Sequence, residues 1–281
     1  LRKMTNDLNS YRNLNLTPDS TKLVTVHAEV RSNIWVVPVK NPKDAAPITN
    51  DPVSQNGARG LDWTPDGKLV YTSLANGHQN IWVMNANGSQ PRQITADSDD
   101  NNHFPSVSND GKYVVFTSSR SGPSHIWRAD LEGGNLMELS KGKHDVKPNC
   151  SPDGDWIVYS SQKNSVRVIM KMPARDSTAE AVALTDKYAD FPIVSPDGEL
   201  VACLYQEEIS SPMKVALLPL AGGAPIQMLN LPNIYPWPSV RWSADGEALS
   251  YLDPKDHSTN VWLLPLDGGE VSKVTDFEGE Q

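Results

Sequence analysis

The sequence of 281 residues contains no apolar run approaching the roughly 18 residues of a membrane span. It also lacks a charged-then-apolar leader. Its 25 Lys and Arg form no run and are outnumbered by 34 Asp and Glu, for a net charge of −9. Binding to nucleic-acid phosphate or to an anionic membrane surface rests on clustered cations, so no nucleic acid and no direct membrane insertion are expected. Only two cysteines are present, which excludes a disulfide scaffold. Cys150 in "PNCSP" and Cys203 in "LVACLY" sit in apolar, strand-like settings and read as buried thiols. Catalytic signatures are missing as well. The six His make no i,i+4 pair and no HExxH, and there is no G-x-S-x-G elbow. No catalytic residue, metal ligand or cofactor is therefore expected. Helical periodicity over a long window is absent too.

What is present is repetition. The phrase "SPDGDWIVYSS" returns as "TPDGKLVYTSL", "SNDGKYVVFTS", "SPDGELVACLY" and "SADGEALSYLD". The turn Asp residues are Asp19, Asp66, Asp110, Asp153, Asp197 and Asp245, spaced 47, 44, 43, 44 and 48 residues apart. Gly67, Gly111, Gly154, Gly198 and Gly246 follow five of them, and Ser20 follows the first. Pro presets the first corner of such a turn, Asp bonds its own backbone, and Gly takes the left-handed position. Beyond four of the turns stand "NIWVV", "NIWVM", "HIWRA" and "NVWLL", and a further run ends in Thr or Ser, as in "PRQIT" and "LMELS". Each unit reads as four short antiparallel strands: inner, second, third and outer. A lone sheet of that kind cannot bury its two apolar faces, whereas sheets packed around an axis can, which predicts an all-β propeller.

The phrase set "(S/T)PDG…Y(T/S)S…NIW…(L/I)T" resembles the TolB-like (PD40, WD40-like) β-propeller family over essentially the whole chain. The repeats are about 11–50, 58–95, 103–140, 146–185, 190–229 and 238–275, and residues 1–281 form one domain. Outer-type strands number seven once "LRKMT" at residues 1–5 is included. The expectation is six complete four-stranded blades within a seven-bladed ring whose seventh blade is incomplete in this chain. A start at Leu1 and an end inside a repeat suggest a segment of a larger protein.

In this architecture ligands meet the channel mouth, where loops from outer to next inner strand converge. The residue seven before each turn Asp gives the column Arg12, Arg59, His103, Val146, Asp190 and Pro238, flanked by Tyr11, Asp145, Tyr235 and Trp237. Such a set suits a protein or peptide partner or a small polar ligand; it equally suits mutual pairing around a water-filled tunnel. The Trp at the third strand is expected to pack between sheets. "DSDDNNH", 97–103, lacks the Gly and Glu of a calcium loop. "HDVKPN", 144–149, carries kinase-loop letters at the wrong spacing. "QEEISSPMK" lengthens the fifth repeat and could project as a loop.

The resemblance implies a non-catalytic binding or sensor domain. Examples are the periplasmic TolB propeller and the C-terminal propellers of bacterial membrane serine/threonine kinases. Two alternatives stand beside it. One is a channel-mouth, metal-assisted lyase or hydrolase using His103, Asp145 and Asp190. The other is the accessory propeller of a prolyl-oligopeptidase-like peptidase.

Overall fold

The computed structural model describes residues 10–19, 21–28, 30–38, 41–51, 54–95, 101–175, 180–231, 240–255 and 258–277. The second repeat folds as β5 (Leu61–Trp63), β6 (Lys68–Ser73), β7 (Asn80–Asn85) and β8 (Arg92–Gln93), paired in that order. The third gives β9 (Asn102–Val107), β10 (Tyr113–Ser118), β11 (His125–Asp130) and β12 (Met137–Glu138). The fourth gives β13 (Asp145–Cys150), β14 (Trp156–Lys163), β15 (Val166–Pro173) and β16 (Val182–Ala183). In the fifth are β17 (Tyr188–Val194), β18 (Leu200–Gln206), β19 (Lys214–Pro219) and β20 (Gln227–Leu229). The sixth holds β21 (Arg241–Trp242), β22 (Ala248–Lys255), β23 (Ser258–Pro265) and β24 (Ser272–Lys273). Every ladder is antiparallel. Among the described residues there is no α-helix, only 3-10 turns at Pro42–Asp44 and Ala75–Gly77, and no helix long and apolar enough to cross a membrane.

The core lies in the seams between repeats. Second strands are buried on both faces, and their side chains alternate between the two neighbours as a period of two requires. Val114 and Phe116 face the second repeat, meeting Val70, Ile81 and Ile94. Val115, between them, faces the fourth repeat and meets Ile157 and Tyr159. Val158 then points onward to Ala189, Val201 and Cys203, and Ala202 and Leu204 onward to Leu249 and Tyr251. This double coverage explains why the second strands read as continuous apolar runs instead of alternating ones. Both thiols are free; Cys203 is buried in a seam and Cys150 packs at another.

The other repeat signatures are hydrogen-bond devices. In all six turns a Thr or Ser two residues before the Asp donates to its carboxylate, from Thr17, Thr64, Ser108, Ser151, Ser195 and Ser243. The same hydroxyl accepts the N–H that opens the second strand, as from Trp156 to Ser151 at 2.9 Å. Gly111, at φ +67°, packs against Pro65; a Cβ there would stand 3.3 Å from the proline ring, so Pro of one turn abuts Gly of the next. The terminal Thr of "IT" receives the N–H of the third strand: Ile34 to Thr49, Ile81 to Thr95, Ile126 to Ser140 and Val261 to Thr275, at 2.8–3.0 Å. It then donates to the Asn of "NIW" or "NVW", as Thr95 does to Asn80 at 2.9 Å. These bonds fasten an outer strand only two or three residues long.

The first repeat departs from the expected six complete blades. It forms two separate ladders, β1 (Ser10–Leu16) with β2 (Leu23–Ala28) and β3 (Trp35–Val36) with β4 (Ala46–Pro47). Among the described residues five four-stranded blades are therefore observed, instead of six or seven. Among the described residues, the seam to the second repeat takes Ile34 and Ile48 from the first. Val24 and Val26 stay 66% and 52% exposed, so little apolar burial favours joining the two ladders. Trp82, Trp127 and Trp262 pack in seams as expected, but Trp35 is 57% exposed. Residues 1–5 lie outside the described residues.

Candidate functional site

The five described inner strands of repeats two to six converge on an axial cavity of about 100 Å³. Three of them carry the same irregularity. In β9, β13 and β17 two residues oppose one on the second strand, so that Phe104–Pro105, Lys147–Pro148 and Phe191–Pro192 bulge out of register. The first residue of each pair has positive φ, 52°, 58° and 57° respectively. Gly60, at φ 119°, takes that place in the second repeat, where a Cβ would lie 3.0 Å from the Phe104 backbone. Proline cannot continue a ladder and so marks such bulges; bulges in turn re-aim side chains. Here Phe104, Lys147 and Phe191 line the cavity. The N–H groups freed by the bulges are met by second-strand hydroxyls, Lys147 to Thr117 at 3.0 Å and Phe191 to Ser160 at 3.2 Å.

Lys147 is 9% exposed. Its ammonium lies 2.7 Å from the Asp190 carboxylate, 3.3 Å from the centre of the Phe191 ring and 5.9 Å from that of Phe104. Burial brings its pKa down to about 8, only partly offset by Asp190. Asp190, also buried, accepts in addition from Ser160 Oγ at 2.7 Å and Arg167 Nη1 at 3.0 Å. Asp62 lines the cavity with Arg241. Burial raises the Asp62 carboxyl above its ordinary range, against the pull of the Val107 N–H and of Arg241.

Below the bulges, each inner strand is tied to the next. Asp62 Oδ2 accepts from Val107 N at 2.8 Å, Ser106 Oγ from Cys150 N at 3.2 Å, and Asn149 Oδ1 from Val194 N at 2.8 Å. The fifth repeat has apolar Ile193 at this level, and there its carbonyl accepts from Trp242 Nε1 at 3.1 Å. A second cavity lies at the turn end of the axis, and the tie residues Asp62, Ser106 and Asn149 line both.

The sequence-derived column lies one residue before the bulge. Arg59 is exposed and close enough to His103 that, together with burial as the larger cause, it pushes the imidazole pKa down to about 4. His103 Nδ1 is buried without a hydrogen-bond partner among the described residues. Asp145 is buried, with Oδ2 accepting from Gly142 N at 2.8 Å and Oδ1 unpartnered. Val146 is buried. Of the column's described side chains, Asp190 joins the cavity cluster, through Lys147. Tyr11 and Arg12 lie on β1, and their side chains are outside the described structure, as are Tyr235, Trp237 and Pro238 entirely. His103, Asp145 and Asp190 do not gather into a metal-holding group, and no three His, Cys, Asp or Glu side chains do so among the described residues. The residues that sequence reasoning passed over are Phe104, Lys147, Phe191, Asp62 and Arg241. A signal for the first three was available: Pro105, Pro148 and Pro192 each stand five residues before a turn Asp.

The PD40 family, described as the TolB beta propeller domain, matches residues 8–231. A Tol-Pal system protein TolB of Hamiltonella defensa is 27% identical over 106 residues, 38% of this chain and 24% of that protein. Dipeptidyl-peptidase 5 of Porphyromonas gingivalis is 26% identical over 165 residues, 51% of this chain and 24% of that protein. The chain thus spans about a quarter of the length of these curated relatives. The crystal structure of TolB from Acinetobacter baumannii superposes with a TM-score of 0.68 at 20% identity, covering 94% of this chain and 64% of that one. By its repeats, its blades and this match over most of its length, the chain belongs to the TolB β-propeller domain family.

Proposed function

We propose that the chain is a non-catalytic binding propeller that takes a protein segment or a small polar ligand in its axial cavity, with an acidic group on Lys147 and Arg241. The carrying observation is the trio of bulges. Bulky or charged residues at positive φ are costly, and here they recur at one level of three neighbouring strands and aim two rings and an ammonium into one space. A partly apolar cavity with a few convergent polar groups is the usual form of a ligand site. By likeness to TolB, the reading extends to an extracytoplasmic location and to a sensor or partner-binding role within an envelope or signalling protein. The test is a calorimetric titration with short peptides bearing free carboxylates and with small dicarboxylates. Saturable binding that weakens at least tenfold in Lys147→Met and in Phe191→Ala is expected. A panel with no binder, or binding indifferent to both substitutions, refutes the reading.

A second reading, the accessory propeller of a peptidase, is favoured by the likeness to dipeptidyl-peptidase 5. Co-purification and activity with an attached hydrolase domain would decide for it.

A further inference from the structure

The opposite end of the axis has a different character. A hollow of about 340 Å³ opens there, lined by residues flanking the turns and by Trp63, Pro65, Pro152 and Pro196. Trp63 is 47% exposed, so a large apolar ring faces water beside three proline rings at the axis. Serine, threonine and asparagine side chains line the rest of the hollow, and an indole with one face in water beside such polar groups is typical of contact surfaces.

Charge around this mouth is divided by repeat. The residue after each turn Gly is Lys68 and Lys112 in repeats two and three, but Asp155, Glu199 and Glu247 in repeats four to six. Lys68 pairs with Asp66 at 2.8 Å and Lys112 with Asp110 at 3.1 Å. In the other three turns, the acid at that place joins Asp153, Asp197 and Asp245 without a cation partner within ion-pair distance among the described residues. All six carboxyls are exposed, and serine hydroxyls hold the three turn carboxyls below their ordinary range, hence ionised at neutral pH. The Arg175 guanidinium stands beside Gly154 at one end of this arc. Six exposed carboxylates crowd one side of this mouth, and fields of one sign select partners of the opposite sign.

We infer that the turn end of the axis docks a basic peptide segment of a partner protein, one apolar side chain entering against Trp63 and the prolines while its Lys and Arg meet the acidic arc of repeats four to six. The inference is independent of the axial-cavity proposal, since Trp63, the three prolines and the turn acids do not line the axial cavity.

The test uses fluorescence anisotropy with a labelled Lys/Arg-rich hexapeptide carrying one central Trp, and an acidic counterpart. The variant Asp155→Lys/Glu199→Lys/Glu247→Lys gives repeats four to six the residue that repeats two and three already carry, so the turns are kept. Saturable binding of the basic peptide at 0.1 M salt is expected. It should weaken at least tenfold in the triple variant and at least fivefold in Trp63→Ala. It should also fade at 1 M salt, where screening shortens from about 10 Å to about 3 Å. No saturable binding, equal binding by either variant, or equal binding of the acidic peptide overturns the inference. The upper cavity is unchanged in both variants, so failure here and failure of the axial-cavity proposal remain distinguishable.

Discussion

Replacing Lys147 by Met isolates the energetic cost of the buried ammonium. Its pKa falls from the ordinary 10.5 to about 8 in the folded chain. At 1.36 kcal/mol per pKa unit, holding the proton at neutral pH costs about 3 kcal/mol of stability. The sign follows from proton counts. Between pH 8 and 10.5 the unfolded chain keeps the proton and the folded chain has released it, so stability rises with pH across that window. From pH 7 to 9.5 the recovery amounts to about 2 kcal/mol by the linkage relation. The thiols act in the opposite direction: burial pushes Cys150 up to about 12 and raises Cys203 as well, so both resist ionising in the fold. Their effect is common to wild type and variant and cancels in the difference. Asp190 keeps Arg167, Ser160 and the Phe191 N–H in the variant, so the fold survives the change. Urea unfolding followed by tryptophan fluorescence at pH 7.0 and 9.5 measures the result. The stability of wild type relative to Lys147→Met should increase by about 2 kcal/mol between the two pH values. A difference constant within about 0.5 kcal/mol would refute the idea that Lys147 is held charged in a poorly solvated place.

Two further substitutions address the blades. Thr95→Val removes the acceptor of the Ile81 N–H and the donor to Asn80; a loss of about 1–3 kcal/mol is expected, with faster amide exchange at Ile81 and Ile94 than elsewhere in that sheet. Phe116→Ala, at a fully buried seam position, should cost about 3–5 kcal/mol, read by thermal or urea unfolding.

How far the sequence could be read depended on whether a device recurs. The turn hydroxyl and Asp at Ser151–Asp153, the Asn and Thr at Asn80 and Thr95, and the alternation along Val114–Phe116 each repeat at a fixed interval, so architecture was legible. The site was legible only to within one residue. A column counted from the turn Asp assumes a regular strand, and the bulges at Phe104, Lys147 and Phe191 shift which side chain faces the axis. The three prolines after them were visible, but a proline in a strand signals a break without saying where the next side chain points. The first repeat misled for a different reason. "NIWVV" has the letters of "NIWVM", yet a strand's letters do not reveal whether a neighbouring sheet covers it. The string "HDVKPN", whose kinase-loop letters stand at the wrong spacing, contains Lys147.

Because each apolar seam belongs to two sheets, damage to the molecule is unequal along its length. Among the described residues, loss of an interior sheet strips two seams, while loss of the sixth strips a single one. Lengthening or shortening such a chain by whole units at its ends is therefore cheap, and altering it in the middle is not. Pulled from its ends, it should come apart in discrete, sheet-sized steps.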